Sequence, residues 1–578
     1  MIKKFTKILS LFDNSRKKKF IIVMFFVFLG SLVEILSFGS IIPFLEILVN
    51  NQNNFFQNNE FISGYISSFD KKIELLVFLT LLVFIIFSLK NIFLIFLTWL
   101  FTQFVNDVRL FLTRVYLDQT FKNTTSFQLE NDSSKIIRNS MFDINAITSK
   151  IIFPTILSIL DLITFAGLAL ILILINYQIS MVIILSFFLF AYFYIYFFKK
   201  KLSHHGNLRL NSDKKKIKTL VETLNLIELV SIKNKNDCFL NKYYMEDKIS
   251  VDAGVFNSVI INSIRYFLEI LSVLFLLILI ILGLIYDYEI STLITYIVFL
   301  GACCYRILPS LNKFVSLISN FNFYNKTIEN IYGDFLRNEI ILKKKQNRTI
   351  LKDEDFSNSF TLKNASFSFD KKVILENINL TIEKNNITTI SGENGSGKST
   401  LINILLGLLK LDKGIYMIDE KKIDIDKYDI SNLIGYVPQK IFLLDDNIKR
   451  NIAFGEEESE INQKSIDEIS KILEFDNLFI KRLNDDKFTI GENGYRLSGG
   501  QRQKIVLARA LYKNPLILIL DEPTSAFDDF NKNLFTKLIN YFRGKKTLII
   551  ITHDNEIKDL SDKNYLVSDK KVKQIKRD

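Results

Sequence analysis

Gly392-Glu393-Asn394-Gly395-Ser396-Gly397-Lys398-Ser399-Thr400 follows the strand-like Thr388-Thr389-Ile390 and precedes the helix-like Leu401–Leu406. The spacing is G-x4-G-K-S in a strand–loop–helix setting. Glycines there let successive backbone N–H groups wrap phosphate oxygens, and the helix N-terminus that follows adds a dipole favouring anions. In such a loop Lys398 reaches the terminal phosphates of a nucleotide and the Ser399 hydroxyl is a Mg2+ ligand. The plain alternative is a flexible Gly/Ser loop, and a second cluster argues against it. The apolar run Leu516–Leu520 leads straight into Asp521-Glu522, the pattern of a buried parallel strand ending in two acids. Asp521 is the candidate to hold Mg2+, and Glu522 the candidate to polarise an attacking water. Adjacent strand residues point to opposite sides, so the two acids need not share a role. A helix N-cap pair is the weaker reading.

These residues need an α/β frame, and the chain supplies one only in its second part. Of 578 residues 49% are hydrophobic, 13% aromatic and 23% charged, and mean hydropathy is +0.22. That balance fits two unlike regions joined together. It excludes a disordered, collagen-like or disulfide-stapled chain, and the three cysteines have no zinc spacing. Six long apolar segments lie near 20–49, 73–103, 151–175, 179–198, 255–285 and 290–312, each long enough to span a bilayer. After about residue 326 the apolar runs stop, and the Lys-rich 343–348 stretch reads as a linker. The expected architecture is therefore an all-α transmembrane domain of six helices over 1–326, a linker over 327–354, and an α/β P-loop ATPase domain over 355–578.

Charge orients the spans. Residues 1–19 carry seven Lys or Arg against one acid, and 199–254 carry twelve against seven, while the short links at 176–178 and 286–289 carry none. By the positive-inside rule the N-terminus, the 199–254 segment and the ATPase domain are expected in the cytoplasm. The expected location is a bacterial inner membrane, with several passes through it. The basic excess thus reports topology, and nucleic acid is not expected as a partner. The 104–150 and 199–254 segments are expected to continue the spans as cytoplasmic helices, and the aromatic-rich 50–72 loop to pack or to lie at the outer interface. His204-His205 reads as a solvated interfacial pair more readily than as a metal or pH-sensing site.

Leu497-Ser498-Gly499-Gly500-Gln501, upstream of the acidic strand end, resembles the signature of ABC-type ATPases. Gln439 in Tyr436-Val437-Pro438-Gln439 is similar to the Q-loop glutamine, Ser525–Asp528 to the D-loop, and His553 to the switch histidine. Phe369 stands where an aromatic stacks on adenine, and Asn385-Asn386 replaces the usual Gly turn before the phosphate loop. The resemblance implies ATP and Mg2+ as cofactors, Glu522, Gln439 and His553 as catalytic residues, and Ser399, Gln439 and Asp521 around the metal. In that family the nucleotide lies between the phosphate loop of one ATPase domain and the signature of another. One copy of each per chain therefore implies a homodimer, with Ser126–Leu129 and Asn234–Cys238 as guesses for segments that couple ATPase to spans.

Six spans before one ATPase domain resemble an ABC exporter half-transporter. Polar residues inside spans are costly and usually functional; here they are Glu34, Lys90, Asp161, Arg265, Glu269 and Arg306. Counted at 1.5 Å per residue, Lys90 and Arg306 fall about 24–26 Å from the outer boundary and Arg265 about 15 Å from the inner one, so all three can line a cavity suited to a large anionic head group. Equally, Arg265 and Glu269 stand at i, i+4 and can pair, and Arg306 can snorkel to inner head groups. Tyr305-Arg306-Ile307-Leu308-Pro309-Ser310 closes span six and is similar to a stretch of PglK-type flippases for lipid-linked oligosaccharides. Val33-Glu34-Ile35 with Ile42-Pro43-Phe44, and Arg265–Glu269, also look like that group. The resemblance implies a polyprenyl-pyrophosphate-linked glycan, or a similar anionic glycolipid, as cargo among the membrane lipids. An exporter of lipid A-like lipids, peptides or drugs is the alternative.

Overall fold

The computed structural model describes residues 2–41, 72–122, 133–175, 177–285, 308–345, 348–369, 372–523 and 529–575. The chain divides after Ile340 into two compact units.

The first unit is helical. Helix α1 (Ile2–Ser10) precedes α2 (Asn14–Gly39), whose start is set by Asp13: its carboxylate accepts the Arg16 backbone N–H at 3.0 Å. Helix α3 (Lys72–Lys122) runs 51 residues, about 77 Å at 1.5 Å per residue against a hydrocarbon core of about 30 Å, so it continues well past a bilayer. Helix α4 is built from Ser133–Arg138, Ile144–Ile147 and Phe153–Ile175, joined by π turns at Asn139–Asp143 and Thr148–Ile152. Helix α5 (Tyr177–Asn225) leads through the short α6 (Ile227–Ile232) to α7 (Asn236–Ile285), which runs antiparallel to it. Their pairing is fixed by Lys215–Glu246 at 3.0 Å, Lys216–Asp247 at 2.9 Å, and the Tyr194 hydroxyl donating to the Ile260 carbonyl at 2.7 Å. Helix α8 covers 308–323, and α9 is Asn325–Lys345.

Among the described residues four stretches are long and apolar enough to cross a membrane: Asn14–Gly39, Leu76–Lys122, Ser133–Ile171 and Asn236–Ile278. The fourth expected span, 179–198, falls within α5, and most of the sixth, 290–312, lies outside the described residues, as does the 50–72 loop up to residue 71. The long cytoplasmic segments anticipated at 104–150 and 199–254 are largely helical where described. The stretch read as a linker is mostly helix: α9 buries Ile328, Ile331 and Phe335 at helical spacing, and Lys343, Lys344 and Lys345 fall at its C-terminal end, where the helix dipole favours cations.

The core of this unit gathers Val27, Leu97, Phe101, Leu112, Tyr116 and Ile151 from α2, α3 and α4. On the outward face of α3, Phe84, Leu89, Ile95 and Trp99 are each more than half exposed, a face that suits acyl chains and not water. Near the first π turn lies a buried polar network. Arg138 pairs with Asp143 at 2.9 Å and donates to the Leu210 carbonyl, while the Asn139 amide donates to the Tyr116 hydroxyl at 3.0 Å and to Asp334 at 2.9 Å. A buried pair of this kind specifies one packing of these helices more than it adds stability.

The second unit is α/β. A short parallel pair joins β1 (Thr349–Ile350) to β7 (Tyr428–Asp429). An antiparallel four-stranded sheet places β2 (Ser359–Phe369) between β3 (Lys372–Glu383) and β5 (Lys413–Ile418), with β6 (Lys421–Lys422) at its edge. The main sheet is built from β4 (Ile387–Ser391), β8 (Ile434–Val437), β9 (Ile517–Asp521), β10 (Thr547–Ile551), β11 (Lys563–Ser568) and β12 (Lys571–Ile575). Its order is β12-β11-β4-β10-β9-β8, all parallel except β11 against β12. Side chains of β9 alternate between two cores, Leu518 and Leu520 in one, Ile517 and Ile519 in the other. Those of β10 do the same, so both faces of the sheet are covered, as a parallel sheet requires. One face is covered by α10 (Lys398–Leu405), through Leu401 and Leu405. The other takes Ile448 of α11 (Ile448–Ile452), Ile469 of α12 (Gln463–Ile472), Phe479 of α13 (Asn477–Leu483) and Ile505 of α14 (Gly499–Leu511). The Asn385 turn before β4 adopts φ +60°, a left-handed conformation that Asn tolerates, so the missing Gly costs little there.

Candidate functional site

Sheet register alone gathers the site. Ile551 pairs with both Ile390 and Asp521, and Val437 pairs with Leu520. The segments leaving β4, β8, β9 and β10 at their C-terminal ends therefore share one edge of the sheet. Those segments are the 392–400 loop, Pro438-Gln439, Asp521-Glu522 and Thr552-His553.

The phosphate loop needs its glycines. A Cβ on Gly392 would strike the Val567 carbonyl. Gly397, the residue before α10, sits at φ +106°, and its Cβ would come 2.9 Å from Leu375 Cδ2. Lys398 is buried, and its ammonium donates to the carbonyls of Gly392 at 2.5 Å and Glu393 at 3.0 Å. The Ser396 hydroxyl is buried without a hydrogen-bond partner. A loop whose cation is held by its own carbonyls and whose hydroxyl is orphaned fits a nucleotide phosphate, which would satisfy both.

Two side chains converge on Glu522. The Gln439 Nε2 donates to its carboxylate at 2.6 Å, and His553 Nε2 lies 3.8 Å from the other oxygen. Glu522 itself is left-handed at φ +46°, and its N–H donates to the Ile551 carbonyl at 3.0 Å. A non-glycine residue in that region, at a strand end, is backbone strain of the kind that gathers at active sites. Asp521, its neighbour, is buried. Burial first, then the charge of Glu522, pushes the Asp521 carboxyl up to about 6 against the opposing pull of Lys398. Burial, with Asp521 nearby, also lifts the Tyr436 phenol to about 12. With Asp521 buried beside Lys398 and Ser399 exposed in the first helical turn, the donor set is the hard-oxygen kind that suits Mg2+.

The raised Asp521 carboxyl carries a pH expectation. Its folded value lies above the ordinary carboxylate value of 3.8, so the proton is held until the pH passes about 6, and a cation must displace it below that. The Mg2+ needed to retain nucleotide should rise about tenfold for each pH unit below 6. Titration of Mg2+-dependent nucleotide retention across that range checks this, with Asp521→Asn expected to show weak retention and a flat profile.

Ser498 caps α14: its hydroxyl accepts the Gln501 N–H at 3.3 Å, and the Gln501 side chain accepts the Ser498 N–H at 3.2 Å. Leu497 is buried, and Gly499 is open, with no heavy atom within 4 Å of where a methyl group would sit. Among the described residues no hydrogen bond or ion pair joins 497–501 to 392–400. The signature is tied instead to the acidic strand end: the buried Gln503 amide donates to the Pro523 carbonyl at 3.1 Å. Phe369 is half-buried, edge-on to Phe367 at 4.8 Å. Ser525–Asp528 lie outside the described residues. Sequence reasoning missed Ser396 as an orphaned donor, Tyr436 beside Asp521, and the Gln503 tie; only Tyr436 carried a signal, being two residues before Pro438 in the quoted glutamine motif.

Residues 375–525 match the family model described as ABC transporter. The second unit is an ABC transporter ATP-binding domain. A Rickettsia typhi protein called an export ATP-binding/permease protein is 38% identical over 215 residues, 36% of either chain. The ATP-dependent lipid A-core flippase of Coxiella burnetii is 39% identical over 193 residues, 33% of this chain and 32% of that one. The chain thus matches about a third of the length of these curated relatives. A bacterial Atm1-family ABC exporter solved with ATP bound superposes with TM-score 0.76 over 97% of this chain and 96% of that one, at 18% identity. That likeness gives the chain the fold of an ABC exporter around its ATP-binding domain.

The expected membrane residues fall unequally. Lys90 is buried inside its own unit, with its ammonium over the rings of Phe87 at 4.4 Å and Phe38 at 5.1 Å. Arg265 is 69% exposed and pairs with Glu269 at 2.8 Å, so the i, i+4 pairing is the one the structure adopts. Asp161 is buried and binds Lys313 at 3.0 Å, with the Ser310 hydroxyl at 3.5 Å. Ser310 belongs to the Tyr305–Ser310 motif, whose first three residues, Arg306 among them, lie outside the described residues. His205 stacks on Phe256 at 4.0 Å, and no group of three metal-ligating side chains occurs among the described residues.

Proposed function

We propose that the chain is one half of an ATP-driven exporter of a bacterial inner membrane, working as a homodimer and flipping an anionic amphipathic lipid. The observation that carries the reading is one phosphate loop and one signature per chain, with no bond between them among the described residues, so that two copies complete two composite ATP sites. The ATP-binding domain, the exporter fold and the apolar faces of the first unit support it.

In each composite site Lys398 binds the β- and γ-phosphates, and the backbone N–H groups of 395–400 wrap them. Phe369 stacks on the adenine. Ser498 of the second copy presents its helix N-terminus to the γ-phosphate, with the flanking Gly499, Gly500 and Gln501 backbone. Bound Mg2+ would be held by Ser399, Asp521 and Gln439, and supplies charge neutralisation on the phosphate oxygens. Glu522 accepts a proton from the water that attacks the γ-phosphorus as the bond to ADP breaks. His553 holds that carboxylate from its far side, and Gln439 releases it when nucleotide enters.

The cargo we infer is a polyprenyl-pyrophosphate-linked oligosaccharide. Its support is the Tyr305–Ser310 resemblance and Arg265, an exposed cation in an apolar helix, where a cation costs about 2.5–3.5 kcal/mol. A pyrophosphate competes with Glu269 for that guanidinium through a bidentate pair. A lipid A-like glycolipid is the second reading, favoured by relatives called lipid A-core flippases. ATPase activity in liposomes separates them: a pyrophosphate-linked glycolipid should stimulate turnover more than lipid A does. Arg265→Ala should keep basal turnover and lose that stimulation. Stimulation by lipid A alone would replace the first cargo with the second.

A further inference from the structure

We infer that Gln503 is a positioning residue for ATP hydrolysis, holding Glu522 in its working conformation from the signature helix. This rests on Glu522 as the group that accepts the proton of the attacking water, as proposed above. Among the buried residues of α14 only Gln503 is polar. Val506, Leu507 and Ala510, at i+3, i+4 and i+7, continue its face into the apolar core, so an apolar side chain would complete the stripe. Gln503 departs from that pattern. Its Nε2 donates to the Pro523 carbonyl at 3.1 Å, while its Oε1 is buried without a hydrogen-bond partner. A half-satisfied buried amide stabilises poorly, because the orphaned oxygen has lost its water and gained nothing. A local rule broken in this way points to a role for the donor other than stability.

The bond falls beside the strained residue. Glu522 sits at φ +46°, a conformation that persists only where its surroundings over-determine it. Two backbone bonds bracket it. On its N-terminal side its own N–H donates to the Ile551 carbonyl at 3.0 Å; on its C-terminal side the Pro523 carbonyl accepts from Gln503. Pro523 is buried and has no N–H to contribute, and among the described residues Gln503 makes the only hydrogen bond to its carbonyl. The carboxylate held between these anchors meets Gln439 at 2.6 Å and faces His553 at 3.8 Å. Loss of the Gln503 bond frees one anchor, and the carboxylate shifts from the place where the water needs it. The phosphate loop, carried by β4 and α10, keeps its shape. A support of this kind acts on the chemical step and not on ATP binding.

Gln503→Met keeps the length of the side chain and removes its donor. In the full-length protein kcat should fall about 3–10-fold, the contribution of one neutral hydrogen bond, with KM and ATP affinity changed less than about twofold. The melting temperature should move by no more than about 2–4 °C, because the orphaned Oε1 is lost as the Pro523 carbonyl becomes orphaned. Single-turnover rates give the sharpest comparison. In a Glu522→Gln background the same substitution should change hydrolysis by less than about 1.5-fold, since a residue acting through Glu522 has nothing left to position. An equal loss on both backgrounds overturns the assignment. So does an unchanged kcat, or a lowered melting temperature accompanied by weaker ATP binding. If the Met variant does not fold, Gln503→Leu carries the same comparison. Near-normal hydrolysis by Glu522→Gln alone overturns the reading of Glu522 itself, a result distinct from the others because Gln503 is unaltered in it.

Discussion

Glu522→Gln should bind ATP with unchanged affinity and hydrolyse it about 10²–10⁴-fold more slowly, the range a positioned general base contributes. The substitution keeps the side-chain volume and removes the carboxylate that accepts the proton. It leaves one amide oxygen that can still accept the Gln439 N–H, which now donates at 2.6 Å, and removes the negative charge that faces His553 at 3.8 Å, so the hydrolytic corner loses charge while the phosphate loop is untouched. ATP should accumulate unhydrolysed and hold the two copies closed. Bound nucleotide and steady-state turnover, measured on one preparation, check both halves of the expectation. Near-normal turnover would remove Glu522 from the reaction and leave its strained φ of +46° without a chemical role.

The second large effect concerns the partner copy. Lys398→Ala should weaken nucleotide binding about 10–100-fold, since a charge-assisted hydrogen bond contributes about 1.5–3 kcal/mol. Ser498→Arg should leave binding at the phosphate loop intact and block closure, because it fills the open helix N-terminus with bulk and positive charge. Each variant alone should be inactive in both of its sites. Mixed dimers should contain one intact site and one doubly altered site, so activity should return in proportion to the mixed fraction. Mixtures as inactive as their parents would leave the ATP site either unshared or strictly dependent on its twin. A covalently linked pair, with both substitutions placed in one half, tells these apart: with a shared site that pair keeps two singly broken sites and stays inactive, whereas with an unshared site its unaltered half remains active.

The spacing of the candidate ATP site was legible because the chemistry proposed for it constrains residue type and spacing together. Lys398 must follow its glycines directly, and Asp521 must end an apolar strand, so both can be read from the chain and both lie where the sheet edge puts them. What could not be read is conformational. Nothing local marks Glu522 as left-handed, since that depends on the bond from its N–H to the Ile551 carbonyl, a residue of another strand. The first π turn of α4 is equally silent: the Arg138–Asp143 pair that spans it and the bond to the Leu210 carbonyl are contacts no local pattern shows. Lys90 shows the limit of counting depth along a helix. Rise per residue gives its level and not its facing, and the rings of Phe38 and Phe87 take its ammonium into the packing of α2 and α3. The Lys-rich 343–348 stretch suggested a linker by composition, although the spacing of Ile328, Ile331 and Phe335 already carried the helical period of α9.

The central claim is that ATP hydrolysis moves an anionic lipid between leaflets, and one measurement tests it most directly. The full-length protein is reconstituted in liposomes with a pyrophosphate-linked glycolipid whose sugar is read by a membrane-impermeant lectin. With ATP-binding domains outward and Mg-ATP supplied outside, the lectin-accessible fraction should fall as glycolipid moves to the lumenal leaflet. The fall should require ATP and be absent with Glu522→Gln. Steady ATP hydrolysis with no change in lectin access, or movement of the lipid at the same rate without ATP, would contradict the account.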